Sequence, residues 1–284
     1  MGRGGAAAGA MGRVGAGLAL VLAALFGGGT ESAACGAADT ACKVRIGSYR
    51  IVLPEQATGP VPAVVFLHGY GSSGAGVLKN QTLVQSLTAR GYAVIAPDGS
   101  MREGSARRSW ASRPGREGRD EAAFFDAVLK DASLRHDVDL GHTVLAGFSS
   151  GAFMVNYLAC GEPDLFAAYA PVSGSFWRPQ PETCAGPVRL FHSHGWSDGV
   201  VPLEGRALGG GRYQQGDAFA GLELWRQTNG CASHAPQKTK VEDGDLIRSW
   251  DCGAGADIRL VLFSGGHRIP KDWATRMLDW FEAK

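Results

Sequence analysis

The stretch "TVLAGFSSGAFMVNYLAC", Thr143 to Cys160, decides the architecture. It opens on an apolar, partly β-branched run of the kind that forms a strand buried on both faces, and it closes on "GAFMVNYLAC", a run of good helix formers. Between them Gly147-Phe148-Ser149-Ser150-Gly151 spells G-x-S-x-G, a sharp strand-to-helix turn that holds a serine hydroxyl above a sheet. The motif alone is weak. With 42 glycines and 19 serines among 284 residues, chance supplies about 0.4 matches in a chain of this composition. A second copy does occur, at Gly195-Trp196-Ser197-Asp198-Gly199. It follows the strand-like "VRLFHSH" but runs into "DGVVPLEG", a turn, so Ser197 lacks the helix that Ser149 has.

Working outward, "YRIVLP" from Tyr49, "VPAVVFLHG" from Val61, "YAVIAPDG" from Tyr92, "FAAYAPVSG" from Phe166, "VRLFHSHG" from Val188 and "IRLVLFSGG" from Ile258 read as further strands. Helical patterns lie between and after them. Asp120 caps "EAAFFDAVLKDASLRH", where Phe124, Phe125, Val128 and Leu129 form an apolar stripe, and "KDWATRMLDWFEA" sets Trp273, Met277, Trp280 and Phe281 on one face. Strands alternating with helices predict an α/β chain, a mostly parallel central sheet with helices on both faces. With the elbow at Ser149, this is the α/β-hydrolase fold.

That fold takes its nucleophile, acid and base in the chain order Ser, Asp or Glu, His, the last two in loops after late strands. Ser149, Asp198 and His267 occupy those places, Asp198 after "VRLFHSHG" and His267 after "IRLVLFSGG". The second G-x-S-x-G is then a coincidence around the acid. Asp243, Asp245, Asp251 and Asp257 compete for the acid role but belong to a polar insertion. Two backbone amides must face the developing oxyanion, and Ser150, after the nucleophile, and Tyr70, in "LHGYG", are the expected donors. His68 in that loop is read as a residue pinning the loop, not as a base. Tyr70, Trp177 and Trp196 are candidate substrate contacts at the same end of the sheet. His192 and His194 alternate on a strand end without a third ligand nearby, so no metal is expected, and the mechanism calls for no cofactor.

Composition bounds the partners. The chain is 45% apolar and 19% charged, enough for one large core. Arg3 and Arg13 precede an apolar run from Val14 to Phe26 and the small residues Ser32-Ala33-Ala34, the pattern of a secretory signal over residues 1–34, with Met1 or Met11 as its start. Ser32 stands where lipoprotein signals carry Leu, which argues against lipidation of Cys35. Residues 35–284 then form a single catalytic domain with 26 basic and 26 acidic residues, after Arg3, Arg13 and Glu31 are subtracted from 28 and 27. A neutral protein of this kind, secreted or periplasmic, is expected to bind neither nucleic acid nor membrane once the signal is removed. The basic stretch "MREGSARRSWASRPGR" is read as a solvated loop. Six cysteines imply three disulfides, and proximity favours Cys35–Cys42, Cys160–Cys184 and Cys231–Cys252 among 15 pairings.

"VVFLHGYG", "GFSSGAFM", "HGWSDGVVP" and "SGGHRIP", in this order, resemble secreted α/β-hydrolases of the polyhydroxybutyrate depolymerase and feruloyl or acetylxylan esterase kind. The resemblance runs from about Cys35 to the C-terminus. It implies Ser149 as nucleophile, Asp198 as acid, His267 as base, Tyr70 and Ser150 as oxyanion donors, and the disulfides Cys160–Cys184 and Cys231–Cys252. The usual H-G-T-x-D and G-G-H-x-W-P appear here with Trp196 and Ser197 and with Arg268-Ile269-Pro270, which alters the surroundings of the pocket but not the triad. The expected activity is hydrolysis of a small or oligomeric carboxylic ester through an acyl-enzyme on Ser149. A peptidase or acyltransferase on the same fold shares that chemistry, and a non-catalytic secreted binding protein is the rival of another class.

Overall fold

The structure is a computed structural model that describes residues 1–2, 4–6, 9, 35–36, 40–101, 104–113 and 117–283. The chain divides into two units, Met1–Ala33 and Ala34–Lys284. The signal segment expected over residues 1–34 falls almost wholly outside the described residues.

In the large unit ten strands form one sheet: β1 (Cys42–Val44), β2 (Gly47–Val52), β3 (Val61–Leu67), β4 (Ala93–Pro97), β5 (Val138–Phe148), β6 (Ala168–Val172), β7 (Arg189–Gly195), β8 (Lys238–Glu242), β9 (Asp245–Asp251) and β10 (Asp257–Phe263). Their spatial order is β1-β2-β4-β3-β5-β6-β7-β10-β9-β8. The six strands from β4 to β10 run parallel, and the flanking ones pair antiparallel. The central strands are buried nearly end to end, as their continuous apolar runs require when helices cover both faces.

Each face has its own core. One packs α3 (Glu121–His136) and α4 (Ser150–Gly161) around Phe124, Phe125, Val128 and Val155; the other packs α6 (Trp273–Phe281) around Phe66, Phe191, Met277 and Trp280. Asp120 caps α3 by accepting the Ala123 amide at 3.0 Å, and Asp217 caps α5 (Ala218–Thr228) through the Phe219 and Ala220 amides. The region around Asp243 to Asp257, expected as a polar insertion, instead extends the sheet as the hairpin β8–β9. Asp243 (φ 53°) and Gly244 (φ 83°) take the left-handed positions of its two-residue turn.

Disulfides join Cys35 to Cys42, Cys160 to Cys184 and Cys231 to Cys252. The latter two close loops of 24 and 21 residues, each worth about 3 kcal/mol in chain entropy. No helix among the described residues is long and apolar enough to cross a membrane.

The loop after β4 forms a platform behind the β3 loop. Asp98 is buried there; its Oδ1 accepts the Gly74 amide of α1 (Gly74–Leu78), and its Oδ2 accepts from Ser48 and Arg50 at 3.1 and 3.0 Å. Burial alone would raise this carboxyl, but those donors and the nearby Arg108 outweigh it and hold it below the ordinary value. A depressed carboxyl stabilises the fold fully above its unfolded value, near pH 4, and that contribution is lost as pH falls through the lower folded value. Asp98→Asn should therefore cost about 1–3 kcal/mol at pH 7 and progressively less as the pH is lowered below about 4, measured by urea unfolding at pH 7 and pH 3. An equal cost at both pH values would rule out this linkage.

Candidate active site

The elbow has the backbone its motif requires. Ser149 sits at φ 56°, ψ −118°, a strained conformation of a type that costs about 1–3 kcal/mol and persists only where its surroundings enforce it. The enforcement is steric. A Cβ on Gly151 would lie 2.3 Å from the Leu67 carbonyl oxygen, and one on Gly147 would lie 2.7 Å from the Gly151 backbone, so strand, turn and helix approach this closely only without side chains there. The Ser149 amide donates to Val172 O at 2.9 Å, which ties the turn to β6, and the side chain stands half-buried at the start of α4.

Asp198 and His267 meet from two other loops. His267 Nδ1 lies 2.7 Å from Asp198 Oδ2, although the residues are 69 positions apart. The Asp198 side chain is fully buried and that of His267 is 16% exposed, so the acid is sheltered while the imidazole reaches the surface. Oδ1 of the same carboxylate accepts the Val200 and Val201 amides at 2.9 and 2.8 Å. Burial pushes this carboxyl up, but the His267 contact and the two amides more than offset it, and the group is held ionised below its ordinary value. The His267 ring lies against Phe148, the neighbour of Ser149, with centroids 4.6 Å apart. The acid and base loops are also stitched together, since the Trp196 and Ser197 amides donate to Phe263 O and Gly265 O.

The β3 loop covers the elbow from the other side. A Cβ on Gly69 would stand 3.6 Å from Ser149 Cβ, which places Gly69-Tyr70 directly beside the serine. Among the described residues no acceptor is hydrogen-bonded to the Tyr70 amide, and Ser150, as the first residue of α4, has no intrahelical partner for its own. His68 pins this loop: Nδ1 contacts Gly69 O at 2.7 Å and Nε2 accepts the Gly99 amide at 2.9 Å, so both ring nitrogens are engaged in backbone contacts. Trp110 Nε1 donates to His68 O at 2.8 Å, a support that nothing in the local sequence announced.

The other candidates separate clearly. Tyr70 and Trp196 are 46% and 49% exposed beside the site, whereas Trp177 is buried, stacked on Phe153 with centroids 4.5 Å apart. Ser197 is exposed in its turn, away from any helix. Two of the four rival acids are occupied elsewhere: Asp245 pairs with Arg276 and the Ser264 amide, and Asp257 with Arg189 and Trp280. Cys35, Cys42 and His136 hold three potential ligand atoms within 4.8 Å of one another, but the two sulfurs are joined in a disulfide. His192 and His194 contact each other, Nε2 to Nδ1, at 3.3 Å.

A parallel sheet with its elbow after the fifth strand and an Asp-His pair after later strands defines an α/β-hydrolase. Residues 47–184, just under half of the chain, match the family described as esterase PHB depolymerase, and together with the esterase relatives and neighbours that follow this marks the chain as a carboxylic ester hydrolase. It is 25% identical over 253 residues to a probable feruloyl esterase C of Aspergillus niger, covering 84% of each chain. A feruloyl esterase B of Piromyces equi is 27% identical over 197 residues, which are 64% of this chain and 34% of that one. Among solved structures, an acetyl xylan esterase from Aspergillus awamori superposes with a TM-score of 0.61 at 16% identity, over 83% of this chain and 93% of its own. A Bacillus cereus carboxylesterase does so with 0.55 at 13%, over 84% and 94%.

Proposed function

We propose that the chain is a secreted serine esterase that works through an acyl-enzyme on Ser149. The observation that carries this reading is the 2.7 Å contact of Asp198 with His267, whose ring lies on the residue preceding a strained serine. Asp198 fixes the proton on Nδ1, which leaves Nε2 free to take the Ser149 proton as the hydroxyl attacks the ester carbonyl. The carbonyl oxygen becomes negative and is met by the Tyr70 and Ser150 amides. His267 then gives its proton to the leaving alcohol, and a water deprotonated by the same nitrogen releases the acid. Secretion is supported by three disulfides in a chain that begins with a signal-like segment.

For the acyl group we propose acetyl or feruloyl esters, after the names of the relatives and because Tyr70, next to the serine, and Trp196, in the Asp198 loop, offer exposed rings. The test combines a fluorophosphonate label with p-nitrophenyl acetate, a 3-hydroxybutyryl ester, methyl ferulate and a p-nitroanilide. The expected outcome is label on the peptide bearing "GFSSGAFM", turnover of acetyl or feruloyl esters, and none of the anilide. Label elsewhere, or faster anilide than ester cleavage, would sink the reading.

A further inference from the structure

His192 and His194 form a buried structure that no step above uses. Both rings are closed off from solvent, and both point to the same side of β7. His194 Nε2 lies 2.8 Å from the Val201 carbonyl oxygen, which can only accept, so Nε2 carries the proton. In a neutral ring Nδ1 is then an acceptor, and His192 Nε2 stands 3.3 Å from it as donor. Burial pushes both imidazoles below their ordinary value, His192 to about 3.

Val201 connects this pair to the acid. Its amide donates to Asp198 Oδ1 at 2.8 Å while its carbonyl receives His194. The preceding Val200 amide also donates to Oδ1, and the Val200 carbonyl is held by Gln215 and Arg206. The carboxylate is thus oriented by two consecutive amides; the Val200–Val201 peptide is held at its carbonyl by Gln215 and Arg206, and His194 fastens the other side of Val201, at the carbonyl of the Val201–Pro202 peptide, to the sheet. The titratable groups facing His194 are His192 on its own strand, Asp198 in the next turn and His267 in the loop after β10. His194 Nε2 is also 3.7 Å from Asp198 Oδ2, the oxygen that His267 uses, so a charged His194 would compete for it.

We propose that His194 is a positioning residue: as a neutral ring protonated on Nε2 and backed by His192, it fixes the Val201 carbonyl, holds in place the residue whose amide cradles Oδ1, and thereby aims Asp198 Oδ2 at His267 Nδ1. This rests on the reading of Ser149, Asp198 and His267 as the triad. Because small displacements of catalytic groups cost up to about 100-fold in rate, the effect falls on kcat rather than on substrate binding.

His194→Phe keeps a ring in the space and leaves Val201 O and His192 Nε2 without their partner. On p-nitrophenyl acetate its kcat should fall by about 30–100-fold with KM changed by less than about threefold. His194→Gln, which restores a side-chain N–H for Val201 O, should recover kcat to within about fivefold of the parent. In the parent enzyme, ¹⁵N NMR of the histidine rings should show His194 neutral and protonated on Nε2 from pH 5 to pH 8. A folded His194→Phe with kcat within about twofold of the parent, a His194→Gln as slow as His194→Phe, or a parent ring that is cationic or protonated on Nδ1 would each overturn the proposal. Should His194→Phe not fold, the Gln variant and the NMR spectrum decide. Asp198→Asn, measured in parallel, separates the two levels: an active Asp198→Asn defeats the triad reading, whereas an inactive one beside a fully active His194→Phe defeats this inference alone.

Discussion

Ser149→Ala is expected to lower kcat by about 10⁶, the scale on which a triad loses its nucleophile, while Ser197→Ala lowers it by at most about tenfold, the size of one modest hydrogen bond. Both serines stand in G-x-S-x-G, and what separates them is backbone. Ser149 is held at φ 56° by Gly147 and Gly151 at the start of a twelve-residue helix, beside the His267 loop, with Gly69 against its Cβ. Ser197 lies exposed in a turn, and its amide, bonded to Gly265 O, connects it to the base loop. Removing its hydroxyl leaves that bond and the Asp198 cradle intact. Ser149→Ala should also relieve no strain, because alanine is no better suited than serine to a positive φ. The variant should therefore melt close to the parent and still bind substrate. An active Ser149→Ala beside an inactive Ser197→Ala would overturn the assignment and the strand-turn-helix argument beneath it.

The parts of this site that were legible before the structure are those whose chemistry is written in local context. Ser149 needed only a buried strand before it and a helix after it. Asp198 and His267 followed from chain order and from ending late strands. The hairpin β8–β9 was missed because β8 is exposed along its whole length and shows no apolar alternation, although Asp243-Gly244 is a turn signal that would have located it. The Val200 and Val201 amides left no trace in residue identity, because any non-proline residue supplies an amide. His194 was visible but read only as a possible metal ligand, and its role depends on which carbonyl folds beneath it. Trp177 lies in the loop after β6 as expected, yet its stacking on Phe153 is a tertiary fact that periodicity does not encode.

Asp198→Asn should lower turnover by about 10⁴ and leave the fold in place, and the hydrogen bonds around the carboxylate give the reason. Two amides, from Val200 and Val201, point at one oxygen of the side chain. In the variant that position must be filled by the amide oxygen, since an NH₂ group there would face two donors. The NH₂ is then directed at His267 Nδ1, where it donates. His267 Nδ1 must accept, so the ring carries its proton on Nε2 and cannot receive the one from Ser149. The enzyme is trapped in the wrong tautomer, and the negative charge that would stabilise the imidazolium is gone as well. No described neighbour offers a replacement: Asp245 and Asp257 are bound to Arg276 and Arg189. The control is Asp257→Asn, which should cost stability through its Arg189 and Trp280 contacts while kcat stays near that of the parent. If Asp198→Asn turned over esters at the parental rate and Asp257→Asn did not, the acid of this site would have been misplaced.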